Sequence, residues 1–300
     1  MTPSIALVIP TRNRAALLTR MLRSLDHALA AVDGTAQAIV VDNGSTDGTA
    51  AVIADWIARG PARSSVFVAA PGRSRAMNRA LETVQAPLIA FTDDDVQVPP
   101  DWLREILRFF ADHPHYGAAM GRIRMPPDVT DPALLARVEY YGTLPFYDRG
   151  DAVLDGKHLY GCNMAVRRVV FDRVGSFDER LGVGASGMHE DGDLARRILQ
   201  AGERIGYMPK VVVYHAVEPE RLTIENFRIV HLRRARSRFE MDSERGWPHR
   251  LAHWLGAVTS FAWWSLLRNS RRAMRARGQV ICHTELLRLQ WCRRAPAGRG

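Results

Sequence analysis

Four short apolar runs, three of them with helical apolar spacing in their wake, fall within the first 112 residues, and no other feature constrains the fold so tightly. The runs are Ile5 to Ile9, Ala38 to Val41, Val66 to Val68 and Leu88 to Phe91. Leu17, Leu18, Met21, Leu22 and Leu25 follow the first at helical spacing. Val52, Ile53, Trp56 and Ile57 follow the second, and Met77, Ala80, Leu81 and Val84 the third, while Pro99-Pro100 opens a helix after the fourth. Runs that do not alternate fit strands buried on both faces, and repeated strand-to-helix alternation calls for parallel strands with crossover helices. The expected class is α/β, a Rossmann-like, mostly parallel sheet with helices on both faces. Asn13 or Thr11 is available to cap the first helix.

The fourth run stops in Asp93-Asp94-Asp95, and the second ends at Asp42. In open α/β sheets the carboxyl ends of the strands border the ligand crevice, so these acids fall where a ligand would bind. Adjacent carboxylates repel unless a cation lies among them, and hard oxygen donors suit Mg²⁺ or Mn²⁺. A solvated acidic turn is the plain alternative. The first loop, Pro10-Thr11-Arg12-Asn13-Arg14, holds no glycine, and no G-x-x-x-x-G-K-[ST] run occurs. Both the dinucleotide fingerprint and the phosphate loop of common ATPases are therefore missing, and another device must hold phosphates.

Charge divides the chain. Residues 1–220 carry 24 Lys and Arg against 27 Asp and Glu, whereas 221–300 carry 17 against 5. A basic tail on a mildly acidic body points to an anionic partner for the tail, a membrane surface or a nucleic acid. Cys162, Cys282 and Cys292 are odd in number and lack metal-ligand spacing, so reduced thiols and a cytoplasmic body are expected. The apolar N-terminal stretch ends at Pro10, too short for a signal peptide.

Beyond residue 112, Ala118 to Arg124 reads as a strand, 128–147 as irregular or a short helix, and Leu159 to Val166 as a strand. Tyr140, Tyr141, Phe146 and Tyr147 receive no role. In His189-Glu190-Asp191-Gly192-Asp193, Asp191 shares one helical face with Leu194, Ala195, Ile198 and Leu199. Acids there cap and neutralise a helix start, or else one of them works as a catalytic base. Gly206 to Pro209 and Val211 to Tyr214 are strand-like and end in His215, a core residue or a ligand. In the tail, Leu251 to Leu267 is apolar, bears Trp254, Trp263 and Trp264, and precedes Arg268, Arg271, Arg272, Arg275 and Arg277. It falls at the lower limit for a span of ~20 residues; a helix in the headgroup layer, one packed on the body or on a second protomer, and a true span are the alternatives. The Arg293-to-Gly300 end reads as disordered.

Val8-Ile9-Pro10-Thr11-Arg12-Asn13-Arg14, Val40-Val41-Asp42-Asn43-Gly44-Ser45-Thr46-Asp47-Gly48-Thr49 and Phe91-Thr92-Asp93-Asp94-Asp95 resemble, in order and spacing, the family 2 glycosyltransferases of GT-A fold. Gly175-Ser176-Phe177-Asp178-Glu179 resembles the family's G-x-F-D-E turn, and residues 190–197 its E-D-x-D-L-x-x-R pattern. The resemblance implies a GT-A catalytic domain over 1–220, with a nucleotide-sugar half of about 1–112 and an acceptor half of about 113–220. Residues 221–300 would form a basic helical extension. It implies an inverting transferase using a nucleotide-diphosphate sugar, UDP- or dTDP-linked, with Mn²⁺ or Mg²⁺. By position, Asp42 would contact the base, Asp93 the ribose and Asp95 the cation, with Asp94 between them and His215 a second cation ligand. Pro10, Thr11, Arg14, Arg73 and Arg75 would complete the donor pocket, and Asn163 would bond sugar hydroxyls. Asp191 would be the catalytic base, with Glu190 the neighbour that would take that role or orient the acceptor. A cell-envelope glycan or lipid-linked acceptor, an anionic membrane surface for 221–300, and a homo-oligomer are the expected partners; no nucleic acid is expected. The location expected is cytoplasmic, peripheral on the inner face of the plasma membrane. A metal-dependent nucleotidyltransferase and a nucleic-acid-binding protein are the alternatives.

Overall fold

The computed structural model describes residues 3–32, 35–242 and 246–294. The first apolar run becomes strand β1 (Ile5–Thr11), and the chain continues through α1 (Ala15–Ala30), β2 (Ala36–Asp42), α2 (Thr49–Ile57), β3 (Arg63–Phe67), α3 (Arg73–Thr83) and β4 (Leu88–Thr92). Next come β5 (Val96–Gln97), α4 (Trp102–Asp112), β6 (Tyr116–Arg124), α5 (Pro132–Tyr141), β7 (Leu154–Gly156), β8 (Asn163–Arg167) and α6 (Arg168–Val174). The last elements are α7 (Glu190–Gln200), β9 (Arg204–His215), α8 (Ile224–Met241), α9 (Trp247–Leu266) and α10 (Ser270–Arg294).

All seven residues of β1 are buried, and their alternation explains why the run carries no polar face. Ile5, Leu7 and Ile9 enter one core with Leu18, Met21 and Leu25 of α1, Ile53 and Trp56 of α2, and Trp102 and Ile106 of α4. Ala6 and Val8 enter a second core with Ala76, Met77 and Ala80 of α3 and Leu194, Ala195 and Ile198 of α7. The sheet is thus covered on both faces, as the sequence requires. Its order among the described residues is β3-β2-β1-β4-β8-β6-β9-β5, with β7 beside β9. The half built from β1 to β4 is parallel throughout, whereas β8 runs antiparallel between β4 and β6.

Local differences from the sequence reading have physical reasons. The two strand-like pieces near residue 210 form one strand, β9, whose register against β6 shifts between Gly121 and Arg122, beside Pro209. A proline has no N–H for the ladder and is tolerated at such a shift. Neither expected residue caps α1. Its start is Arg14, and Asn13 turns into left-handed backbone (φ 53°), where its Oδ1 accepts from the Thr46 N–H at 2.7 Å. The stretch 128–147 contains the short helix α5, capped by Asp131, begun by Pro132 and stopped by Gly142 at φ 57°.

Two compact units result, within the described residues. One comprises Met1–Pro126, Pro145–Glu179 and Glu190–Ala216, and contains the whole sheet. The other comprises Pro127–Leu144, Arg180–His189 and Val217–Gly300. In that helical unit α10 packs along α8, α9 and α5. The Ser237 hydroxyl of α8 lies 2.9 Å from that of Ser186 and accepts from the Met188 N–H, which ties the 180–189 segment to the helices. Helix α10 takes in Arg293 and Arg294; residues 295–300 of the expected disordered end lie outside the described residues. Among the described residues no helix is long and apolar enough to cross a membrane.

Candidate active site

Strand order reverses at β1: β2 and β3 lie on one side of it and β4 on the other. Pairing with β4 ends at Val8 and Phe91, whereas pairing with β2 continues to Thr11 and Asp42. Beyond Val8 the strands part over Pro10 and Thr11, opening the crevice typical of such a switch point. The acid triplet enters that crevice from β4.

Thr11 Oγ1 donates to Asp94 Oδ2 at 2.7 Å, and Arg14 Nη1 lies 3.0 Å from Asp95 Oδ2 and 3.6 Å from Asp94 Oδ1. These bonds hold Asp94 and Asp95, both buried, against β1. Burial, and then the Asp95 charge, push the Asp94 carboxyl up to about 7 against the pull of Arg14. Asp42 is buried at the tip of β2, its Oδ1 accepting from the Ser45 N–H at 2.9 Å. Its neighbour Asn43 donates to the Val68 and Ala70 carbonyls and accepts from the Gly72 N–H, which fixes the loop before α3. Gly44 completes the turn at φ 71°, where a Cβ would meet the Ala69 carbonyl oxygen at 2.9 Å.

Arg73, at the first position of α3, faces the triplet. Its Nε donates to Glu190 Oε1 at 2.8 Å, and its guanidinium pairs with Asp93 Oδ1 at 2.7 Å. Gly161 lies against that guanidinium, for a Cβ there would come within 2.5 Å of Nη2. The Gly161 N–H donates to Asp191 Oδ2 at 3.0 Å, and the Gly192 N–H donates to Oδ1 at 2.7 Å. Burial alone would lower the Arg73 pKa, but Asp93, Glu190 and Asp191 raise it well above the ordinary value and hold the group cationic. Burial also raises the three acids, Glu190 to about 7 despite Arg73. For Asp191 this upward push prevails over the two backbone N–H groups that favour the anion.

His215 ends β9, where Val96 is its strand partner. Its Nδ1 lies 2.9 Å from the Ala216 carbonyl oxygen, which assigns the ring proton to Nδ1. Nε2 lies 3.4 Å from Asp95 Oδ1, and in the neutral ring its lone pair would face that oxygen. Two buried electron-pair donors at this separation fit a shared divalent cation. Imidazole with carboxylate favours Mn²⁺ over Mg²⁺. Among the described residues no set of three His, Cys, Asp or Glu side chains forms a complete cage. A hard divalent cation held by one or two side chains ordinarily completes its shell with substrate phosphates and water.

Two expected donor residues lie elsewhere. Asn163 is fully buried: its Oδ1 accepts from Trp102 Nε1 at 3.0 Å, and its Nδ2 donates to the Arg122 and Val211 carbonyls. Both amide hydrogens are used inside the sheet, so the expected sugar contact gives way to a core role. Arg75 pairs instead with Glu179, its Nε donating to Oε2 at 3.0 Å. Phe146 meets the His215 ring edge-on at 6.5 Å between centroids.

Residues 6–175 match the model of Glycosyl transferase family 2, which is more than half of the chain. The chain belongs to that family. Among curated relatives of this family 2 chain, the pre-mycofactocin glycosyltransferase of Mycobacterium tuberculosis is 29% identical over 227 residues, 70% of this chain and 42% of the relative. The O-antigen chain rhamnosyltransferase WbaN of Salmonella anatum is 27% identical over 224 residues, 71% of this chain and 66% of that one. The chain therefore spans less than two thirds of either relative. A solved structure, the mannosyltransferase PcManGT of Pyrobaculum calidifontis in complex with GDP-Man and Mn²⁺, superposes with a TM-score of 0.59 at 21% identity. That match covers 100% of this chain and 77% of the other, and it establishes a shared GT-A type fold.

Three positions of this family 2 chain make contacts for which the sequence predicts no role. Gly161 carries the N–H that orients Asp191, and its smallness beside Arg73 had no periodic signature. Asn43 fixes the loop before α3 through bonds to Val68, Ala70 and Gly72, all 25 or more positions away. Asp193 is clamped by Arg196 at 2.6 Å and Arg197 at 2.7 Å, and Arg197 also donates to the Val174, Gly175 and Ser176 carbonyls. The i, i+3 and i, i+4 spacing of Asp193 to these arginines was the available signal.

Proposed function

We propose that this chain moves a sugar from a nucleoside-diphosphate sugar, UDP- or dTDP-linked, to an acceptor hydroxyl with inversion at the anomeric carbon. The observation that carries the reading is Arg73, whose single guanidinium joins Asp93 of the triplet to Glu190 of α7, next to Asp191. Donor-side and acceptor-side acids thus meet at one guanidinium. Asp42 would accept the imide N–H of uracil or thymine, and Asp93 the ribose hydroxyls. Thr11 and Arg14 border the pyrophosphate position. Asp95 and His215 would hold a divalent cation, which when bound supplies Lewis-acid neutralisation of the departing diphosphate.

Asp191 takes the proton from the acceptor hydroxyl as that oxygen attacks, and one displacement inverts the centre. A carboxylate at a helix start is a weak base, and burial works against that weakness by raising Asp191. Glu190, held by Arg73, shapes the acceptor side without moving the proton. A cell-envelope glycan or a lipid-linked saccharide is the proposed acceptor class, and the O-antigen rhamnosyltransferase among the relatives supports it. Cys162, Cys282 and Cys292 are free thiols, in keeping with a reducing, cytoplasmic working side.

The test is Asp191→Asn. Release of nucleoside diphosphate from a UDP- or dTDP-hexose should fall by about 10²–10⁴-fold while donor binding persists. Near-normal turnover in this variant would sink the base assignment.

A further inference from the structure

We propose that the uncovered side of α9, with the arginines that follow it, seats this protein on an anionic phospholipid surface. Helix α9 is twenty residues long and buries only Arg250 and Ala257. From Leu251 to Leu267 it carries no Asp, Glu, Lys or Arg. Leu255, Trp263, Leu266 and Leu267 are exposed to 50%, 57%, 77% and 52%. At helical spacing Leu255, Ala262, Trp263 and Leu266 share one side. The opposite side is occupied: Trp254 Nε1 donates to Thr284 Oγ1 of α10 at 3.0 Å, and His253 stacks on His283 at 5.6 Å between centroids.

Charge identifies what covers the open side. Residues 246–284 contain six arginines and no Asp or Glu. Arg268, Arg275 and Arg277 are exposed, Arg271 pairs with Glu139 of α5, and the Arg272 guanidinium lies 4.3 Å above the Trp264 ring. An apolar helix face with Trp, flanked by Arg, matches the boundary between acyl chains and anionic headgroups. A second copy placed symmetrically on this face would set arginines against arginines. A nucleic acid would neutralise the arginines and leave Leu255 and Leu266 against water. Because no described helix is long and apolar enough to cross a bilayer, the contact is with its surface. The inference is independent of the sugar-transfer reading.

The test uses the full chain with vesicles of phosphatidylcholine alone or mixed with phosphatidylglycerol. Co-sedimentation with the mixed vesicles only is expected, with loss at high salt as the Debye length shrinks, and a blue shift of tryptophan emission. The double variant Trp263→Ser, Leu266→Ser and the triple variant Arg268→Glu, Arg275→Glu, Arg277→Glu should each weaken binding at least about tenfold. Circular dichroism and the melting temperature serve as folding controls. Equal binding to neutral vesicles, no vesicle binding, or full binding by both folded variants would overturn the proposal. So would dimerisation lost in the double variant, or binding of duplex DNA, in a chain that ignores lipid.

Discussion

At Arg73 one half-buried cation answers two carboxylates that reach it from the end of β4 and from α7, the second from 117 positions away. Removing it would leave half-buried Asp93 and buried Glu190 without their counter-charge. Arg73→Ala is therefore expected to destabilise the fold by about 3–5 kcal/mol in urea titrations, with Arg73→Lys recovering only part. Glu190 gives a pH dependence of defined sign. Its folded pKa of about 7 lies above the ordinary 4.5, so the unfolded chain ionises first as pH rises. The stability contribution is fully present below pH 4.5 and is lost between pH 4.5 and about 7. Glu190→Gln should flatten the fall of the urea midpoint across that window, and an unchanged slope would mean that Asp93 and Asp191 carry it. The sequence made Asp93 legible because it follows an apolar run, and Glu190 because it opens a helix. It left Arg73's partners illegible, since a pairing over 117 positions has no periodic signature.

Helix α7 starts at Glu190, where its first turn carries Glu190, Asp191 and Asp193. The clamp of Asp193 by Arg197, which also holds three carbonyls at the end of α6, fixes where that start stands. Arg197→Ala should lower stability by roughly 2–4 kcal/mol, because buried Asp193 and the carbonyls lose their donor. Donor binding by the folded fraction should persist while turnover falls, since Asp42 and the triplet stand on other strands. A parallel loss of donor affinity would contradict this separation. Strand and helix positions were readable here from apolar spacing. The antiparallel direction of β8 and the joining of two strand pieces across Pro209 were not, because both depend on the partner strand.

The whole molecule divides into a sheet unit that contains every candidate catalytic side chain and a helical unit that holds α8, α9 and α10. A donor that binds only the folded sheet unit at 100 times its Kd would stabilise that unit by about 2.7 kcal/mol. Calorimetry should then show one transition moving and the other staying, and a common shift would show the units unfolding together. The composition break near residue 220 made the tail visible in the sequence. Nothing in 127–144 or 180–189 announced that these segments cluster with it, since their apolar content differs little from that of the body. The central claim is that Asp95 and His215, beneath the parted ends of β1 and β4, bind a sugar nucleotide through a divalent cation. Titration calorimetry of a UDP- or dTDP-hexose, with and without Mn²⁺, measures this directly on the parent chain and on Asp95→Ala. Binding that requires Mn²⁺ and is lost in Asp95→Ala is the expected result; binding indifferent to both would contradict it.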